Sequence, residues 1–127
     1  MTEKNTENIT HWPLNIHYNK ATKNLTIDYD DGATFTYAAE LLRVESPSAE
    51  VKGHGQEEKK IISGRSHVGI IKLEPVGNYA IQIHFDDLHN TGLYSWSYLY
   101  DLGKRKSEVW QIYLKKLDEK NLSRDPR

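Results

Sequence analysis

The chain has 127 residues, enough for one domain, and only 37% of them are hydrophobic. Its 17 basic and 18 acidic residues nearly cancel, so no broad cationic surface for nucleic-acid phosphates is expected. It has no cysteine, which excludes disulfides, thiolate catalysis and metal sites held by thiolates. No apolar run approaches the roughly twenty residues of a membrane helix, and the polar start lacks the apolar middle of a secretory signal. We therefore expect a cytoplasmic protein that binds neither nucleic acid nor membrane.

The first part of the chain predicts strands around one tight turn, after a disordered N-terminal tail at 1–11. Apolar and polar residues alternate in PLNIHYN (13–19) and in LTIDY (25–29), which indicates two strands. DDG (30–32) predicts a hairpin turn, because glycine supplies the positive φ, and ATFTY (33–37) is its partner strand.

Helix-forming residues in AAELLR (38–43) predict a short helix, and a polar loop follows at 46–60. A strand is expected around Val68, Ile70 and Ile71. The segment YAIQIHF (79–85) alternates cleanly and predicts another strand.

The last third predicts a turn at 86–92, a short strand and two helices. Ser95 is the expected N-cap of the first helix and Gly103 its stop; the second helix covers 107–122. We place the single domain at 12–118, including its C-terminal helix, and a tail at 119–127.

The chain contains a weak internal repeat. Residues 27–42 and 83–99 share the order apolar strand, Asp-Asp turn, short strand and short helix. The sequence therefore predicts a small α+β fold: a β-rich domain of antiparallel hairpins with two pseudo-repeated strand–turn–strand–helix units and a C-terminal helix.

The stretch FDDLHNTGLYSW (85–96) holds the most suggestive polar cluster. Asp86, Asp87 and His89 suit a weak iron or manganese site, completed by His84 or His54. The competing interpretation is a turn in which aspartates accept backbone hydrogen bonds. We favour the turn, because Asp-Asp recurs at the same place in both repeats.

Two further sets of residues are candidates for binding. Arg43 with Ser46 and Ser48, helped by Arg65, could hold an anion, unless the arginine only ties down its own loop. Among the dense aromatic residues, Trp96 is expected in the core. Three tyrosines are candidates for an exposed interaction surface: Tyr94, Tyr98 and Tyr100.

Four segments resemble a known family: LTIDYDDG (25–32), ELLRVESPSAEVKGHG (40–55), IKLEPVGNYAIQIHFDDLHNTGLYSW (71–96) and YLYDL (98–102). On these residues the chain is identified as a member of the gamma-butyrobetaine hydroxylase-like N-terminal domain family of small bacterial proteins. The resemblance implies a small α+β domain.

In the eukaryotic hydroxylases, the similar domain precedes an oxygenase domain and binds zinc through three cysteines and a histidine. The resemblance carries the histidine to His89 and the cysteines to Ser46, Ser48 and Val51. Because one imidazole cannot complete a tetrahedral structural site, we expect no zinc of that kind.

The expected function is a non-catalytic accessory domain that binds a protein partner and has no resident cofactor. Its link to iron–sulfur assembly or to oxygenase systems comes only through the resemblance. The alternative is a protein that binds iron or another divalent ion through His89 and the neighbouring aspartates.

Overall fold

The computed structural model describes residues 11–47, 61–90 and 92–126. These residues form two antiparallel three-stranded sheets, each followed by a helix, which confirms the predicted α+β class. The first sheet and its helix are β1 (Pro13–Asn19), β2 (Asn24–Tyr29), β3 (Thr34–Ala38) and α1 (Ala39–Val44). The second sheet and its helix are β4 (Ile70–Val76), β5 (Ala80–Phe85), β6 (Leu93–Ser95) and α2 (Trp96–Glu119).

One core lies between the two sheets and the helices. The alternating apolar residues of β2 and β5 point into it, because successive strand residues face opposite sides of a sheet. Each fully buried leucine or isoleucine stabilises the fold by about 1.5–3 kcal/mol. The most deeply buried aliphatic residues include Leu25, Ile27, Leu42, Ile83 and Leu99.

Helix α2 is continuous over 24 residues, so the predicted helix stop at Gly103 is wrong. The predicted N-cap is confirmed, since the Ser95 hydroxyl accepts a hydrogen bond from the Tyr98 backbone N–H at 3.0 Å. Gly103 is buried against Phe35, and a Cβ at this position would overlap the Phe35 ring. The glycine therefore permits a close helix–sheet approach and does not end the helix.

The segment after α2, predicted as a tail, contacts the domain through Ser123 and Arg124. The backbone N–H groups of Gly64 and Ser66 donate to Ser123 and Arg124 carbonyls at 2.8 and 3.0 Å. The Arg124 guanidinium binds the buried Glu40 carboxylate through two hydrogen bonds of 2.9 and 2.7 Å. None of the described helices is both long and apolar enough to cross a bilayer.

Gly103→Ala tests the close approach of α2 to β3. Alanine improves helix propensity by about 1 kcal/mol, whereas overpacking costs about 1–3 kcal/mol. We expect overpacking to dominate and the free energy of unfolding to fall, measured by urea denaturation. Ser107→Ala, at an exposed position of the same helix, is the control and should slightly stabilise. In a Phe35→Ala background, Gly103→Ala should become stabilising; a loss there would contradict the steric explanation.

Candidate functional site at the Asp86–His89 turn

The two Asp-Asp turns have the same hydrogen bonds, as the sequence repeat suggested. In the first, the Tyr29 N–H donates to the Ala33 carbonyl at 2.8 Å; in the second, the Phe85 N–H donates to the His89 carbonyl at 3.0 Å. The second aspartate of each turn accepts from the backbone N–H two residues later, at 2.9 Å for Asp31 and 3.1 Å for Asp87. The preferred interpretation of FDDLHNTGLYSW as a turn is therefore supported by its geometry.

The turns differ at their tips. Gly32 and Leu88 occupy equivalent positions, and both have a positive φ, 92° and 74°. Glycine adopts this conformation freely, whereas a residue with a Cβ pays about 1–2 kcal/mol. Leu88 is also 83% exposed, so no packing energy offsets the strain. The sequence reasoning missed Leu88, although aligning the repeats places it opposite Gly32.

Each turn is bound by a side chain from the helix of the other half. The Tyr100 hydroxyl, on α2, donates to the Asp31 carboxylate at 2.5 Å, and the Arg43 guanidinium, on α1, donates to Asp87 at 2.8 Å. A second reciprocal pair lies beneath them, where Tyr37 and Tyr94 donate to the Leu99 and Leu42 carbonyls, each at 2.5 Å. The halves are thus related by a pseudo-twofold arrangement, like two subunits in an isologous contact.

The second turn carries more charge than the first. Arg43 is 2% exposed and Arg65 is partly exposed, and a guanidinium nitrogen of each lies 2.8 Å from the same Asp87 oxygen. Burial alone would raise the pKa of Asp87, but the Arg43 hydrogen bond, the His89 N–H and the two positive charges outweigh it and lower the pKa. The anion that the structure shows beside Arg43 and Arg65 is therefore an internal carboxylate.

His89 and Ser46 join the turn to the end of α1. The Ser46 hydroxyl and His89 Nε2 lie 3.1 Å apart, within hydrogen-bond distance, and Ser46 is 1% exposed. Gly92 lies against this pair, and a Cβ there would overlap the Ser46 hydroxyl. The family resemblance assigned both positions to zinc ligands in relatives, and the structure places them side by side. A neutral hydroxyl is a poor replacement for a thiolate, so the pair does not fit that zinc site.

The three candidate metal ligands contact different partners within the protein. Asp86 accepts from the Gly69 N–H at 3.0 Å, Asp87 binds the two arginines, and His89 contacts Ser46. Within the described ranges, no group of three His, Asp or Glu side chains is arranged to hold a metal ion. His84, proposed as a fourth ligand, instead contacts Glu74 at 2.9 Å. The candidates His54 and Ser48 lie outside the described residues.

The expected tyrosine surface does not form as predicted. Tyr94 is 0% exposed, because its ring fills the core beneath the Leu42 carbonyl, so its assignment to a surface is wrong. Tyr98 and Tyr100 are half-buried; Tyr98 donates to the Glu45 carbonyl and Tyr100 to Asp31. Trp96 is 7% exposed, and its predicted place in the core is confirmed.

Comparison with protein families agrees with this architecture. A family model described as "Gamma-butyrobetaine hydroxylase-like, N-terminal" matches residues 16–100. The chain belongs to this family. Among curated protein sequences, none matches the chain significantly.

Similar proteins with solved structures share the fold. Two similar NMR solution structures each have a TM-score of 0.80. One is 44% identical to this chain, with 92% of both chains covered. The other is 43% identical, with 92% of this chain and 87% of that chain covered. A crystal structure from Acidithiobacillus ferrooxidans is 38% identical, with a TM-score of 0.61 over 72% of this chain and 91% of that chain. That protein is described as having unknown function and as a member of the DUF971 family.

Asp87→Asn tests the doubly bound carboxylate. Because Asp87 is 17% exposed, we expect a loss of about 2 kcal/mol in unfolding free energy at pH 7, less than the about 3–5 kcal/mol of fully buried pairs. The folded-state pKa of Asp87 lies below the roughly 3.9 of an unfolded aspartate, so its contribution is complete above about pH 5 and falls as pH drops through the folded value. Urea denaturation at pH 7, 5 and 3 measures this.

The difference between wild type and Asp87→Asn should therefore shrink towards pH 3. Asp118→Asn, at an exposed position near the end of α2, is the matched control and should leave stability nearly unchanged. A wild-type advantage that grows on acidification would contradict the assigned sign.

Metal titration tests the separated ligands. We expect His89→Ala to change the affinity for zinc or anaerobic iron(II) by less than about twofold, because His89 contacts Ser46 and lies in no metal cluster of the described residues. Calorimetry gives the affinities, and His17→Ala, at an exposed position of β1, is the control. A loss of tenfold or more on removing His89, the size typical of a disrupted metal shell, would restore the metal interpretation.

Proposed function

We propose that this chain is a non-catalytic protein-interaction domain that binds an extended segment of a partner along the outer edge of β1. The observation that carries the proposal is the contrast between β1 and its pseudo-repeat equivalent, β4. Both are edge strands of seven residues in three-stranded sheets, and both contain a proline and a register shift, yet only β4 also carries charged side chains.

Strand β1 offers apolar side chains beside an edge that pairs with no described strand. The alternation of Leu14 and Ile16 suggested an inward-facing strand, but Leu14 is 65% exposed and Ile16 37% exposed. A register shift between Pro13 and Asn15 disturbs the alternation at Leu14. An added strand would cover these side chains and pair with the backbone N–H and carbonyl groups of the edge.

Strand β4 has a similar backbone geometry to β1 but carries charged side chains. It also has a register shift, between Ile70 and Lys72, and Ile71 at the shift is 65% exposed, like Leu14. However, β4 carries Lys72 and Glu74 and has Pro75 inside the strand, whereas the proline of β1, Pro13, is only its first residue. Charges and an interior proline on an edge strand oppose strand addition, so β1 is the better candidate.

The polar residues that were candidates for a site make structural contacts, which favours a binding role over a catalytic one. Asp87, Arg43 and Ser46 hold the two halves together, and a catalytic side chain must instead be able to reach a substrate. No contact among the described residues favours the metal-binding alternative. The family resemblance favours a partner from iron–sulfur assembly or from an oxygenase system. We also propose a cytoplasmic location.

Leu14→Lys tests the proposal, because a lysine at an exposed edge position opposes strand addition without disturbing the core. Proteins that co-purify with wild type are identified in the native host, and the dissociation constant of each purified pair is measured. We expect Leu14→Lys to weaken the complex by about tenfold or more, about 1.4 kcal/mol.

Ile71→Lys is the matched control, since Ile71 has the same exposure at the equivalent place in β4. It should leave the dissociation constant within about twofold. A partner bound equally by wild type and Leu14→Lys would contradict the β1 site. Light scattering over a range of concentrations separates partner binding from pairing of two β1 strands in a homodimer.

A further inference from the structure

We infer that Leu88 is an anchor residue that inserts into an apolar pocket of the protein partner. The inference rests on the proposed function and names a second contact of the same complex. Its basis is the contrast between the two turns: the fold accepts glycine at this place in the first turn, and the second turn carries a strained, 83% exposed leucine. Residues held in sparsely populated backbone conformations cluster at functional sites.

Side-chain contacts of the two preceding residues hold the backbone beside Leu88. Of the two aspartates that precede the tip, Asp86 accepts a hydrogen bond from the Gly69 N–H, and Asp87 binds Arg43 and Arg65. Each of these contacts joins the turn to a different part of the fold. A side chain on a fixed support loses little conformational entropy on binding, which is the property of an anchor residue.

The chemistry around the tip favours a protein over a lipid surface. Leu88 follows Asp87, which is paired with Arg43 and Arg65, and Asp86, which is exposed, so these four charges sum to zero. One leucine beside an exposed carboxylate suits a pocket that is apolar inside and carries lysine or arginine at its rim. With no net positive charge, the tip also lacks the basic excess that attracts proteins to anionic membranes.

The turn also lies beside the end of β1. The Tyr18 hydroxyl, near the end of β1, accepts a hydrogen bond from the Ile70 N–H at 3.0 Å. A Cβ on the neighbouring Gly69 would lie 3.1 Å from the Asp86 carboxylate and 3.2 Å from that hydroxyl. The Asp86 end of the turn therefore adjoins the end of β1, and one partner could cover both.

Leu88→Gly gives the second turn the tip of the first and tests the inference. Because the change relieves a left-handed leucine, the melting temperature should stay level or rise, and a binding defect would not reflect misfolding. With the purified partner that depends on Leu14, we expect the dissociation constant to rise about tenfold or more. Leu88→Asn, which also tolerates this conformation, should weaken binding equally.

Leu122→Ala, which trims an exposed leucine on the segment after α2, should leave binding unchanged. If Leu14→Lys weakens the complex and Leu88→Gly does not, the anchor is overturned and the interaction domain stands. If no partner depends on Leu14, the proposed function fails and the anchor with it. Sedimentation with phosphatidylserine vesicles that is lost in Leu88→Gly would also overturn the inference, in favour of a membrane contact.

Discussion

Reciprocal contacts between the halves are the constraint on which the rest of the molecule depends. Each Asp-Asp turn is completed by a side chain from the helix of the other half, Tyr100 for Asp31 and Arg43 for Asp87. Beneath these contacts, Tyr37 and Tyr94 donate to carbonyls of the opposite helices. Neither half can satisfy its buried polar groups alone, so the hydrogen bonds that shape the turns also fix how the two sheets meet.

The pseudo-twofold arrangement makes the differences between the halves informative. Positions that keep the same role hold the fold, as Asp31 and Asp87 do. Where equivalent positions differ in chemistry but not in backbone geometry, the fold does not require the difference. The uncharged β1 against the charged β4, and Leu88 against Gly32, are differences of this kind. Both lie on the surface, where a difference changes what the molecule can bind.

Two glycines of the second half let the backbone lie close to side chains of the first half. Gly103 allows α2 to lie against Phe35, and Gly92 allows β6 to lie against Ser46. Both glycines are needed for space, and neither has the positive φ seen at Gly32. Glycine in a sequence therefore has two meanings here, and only the packed structure distinguishes them.

The sequence by itself determined the α+β class, the repeat and the core positions of β2 and β5, because these depend on local periodicity. It also determined the N-cap at Ser95 and the turn at Asp86–His89, because these depend on hydrogen bonds between near neighbours. Tertiary structure decided that Gly103 lies inside a helix, that Tyr94 is buried and that Arg43 binds Asp87, 44 residues away. It also decided that Leu14 is exposed, since the edge of a sheet is set by which strands pair and not by the pattern of one strand.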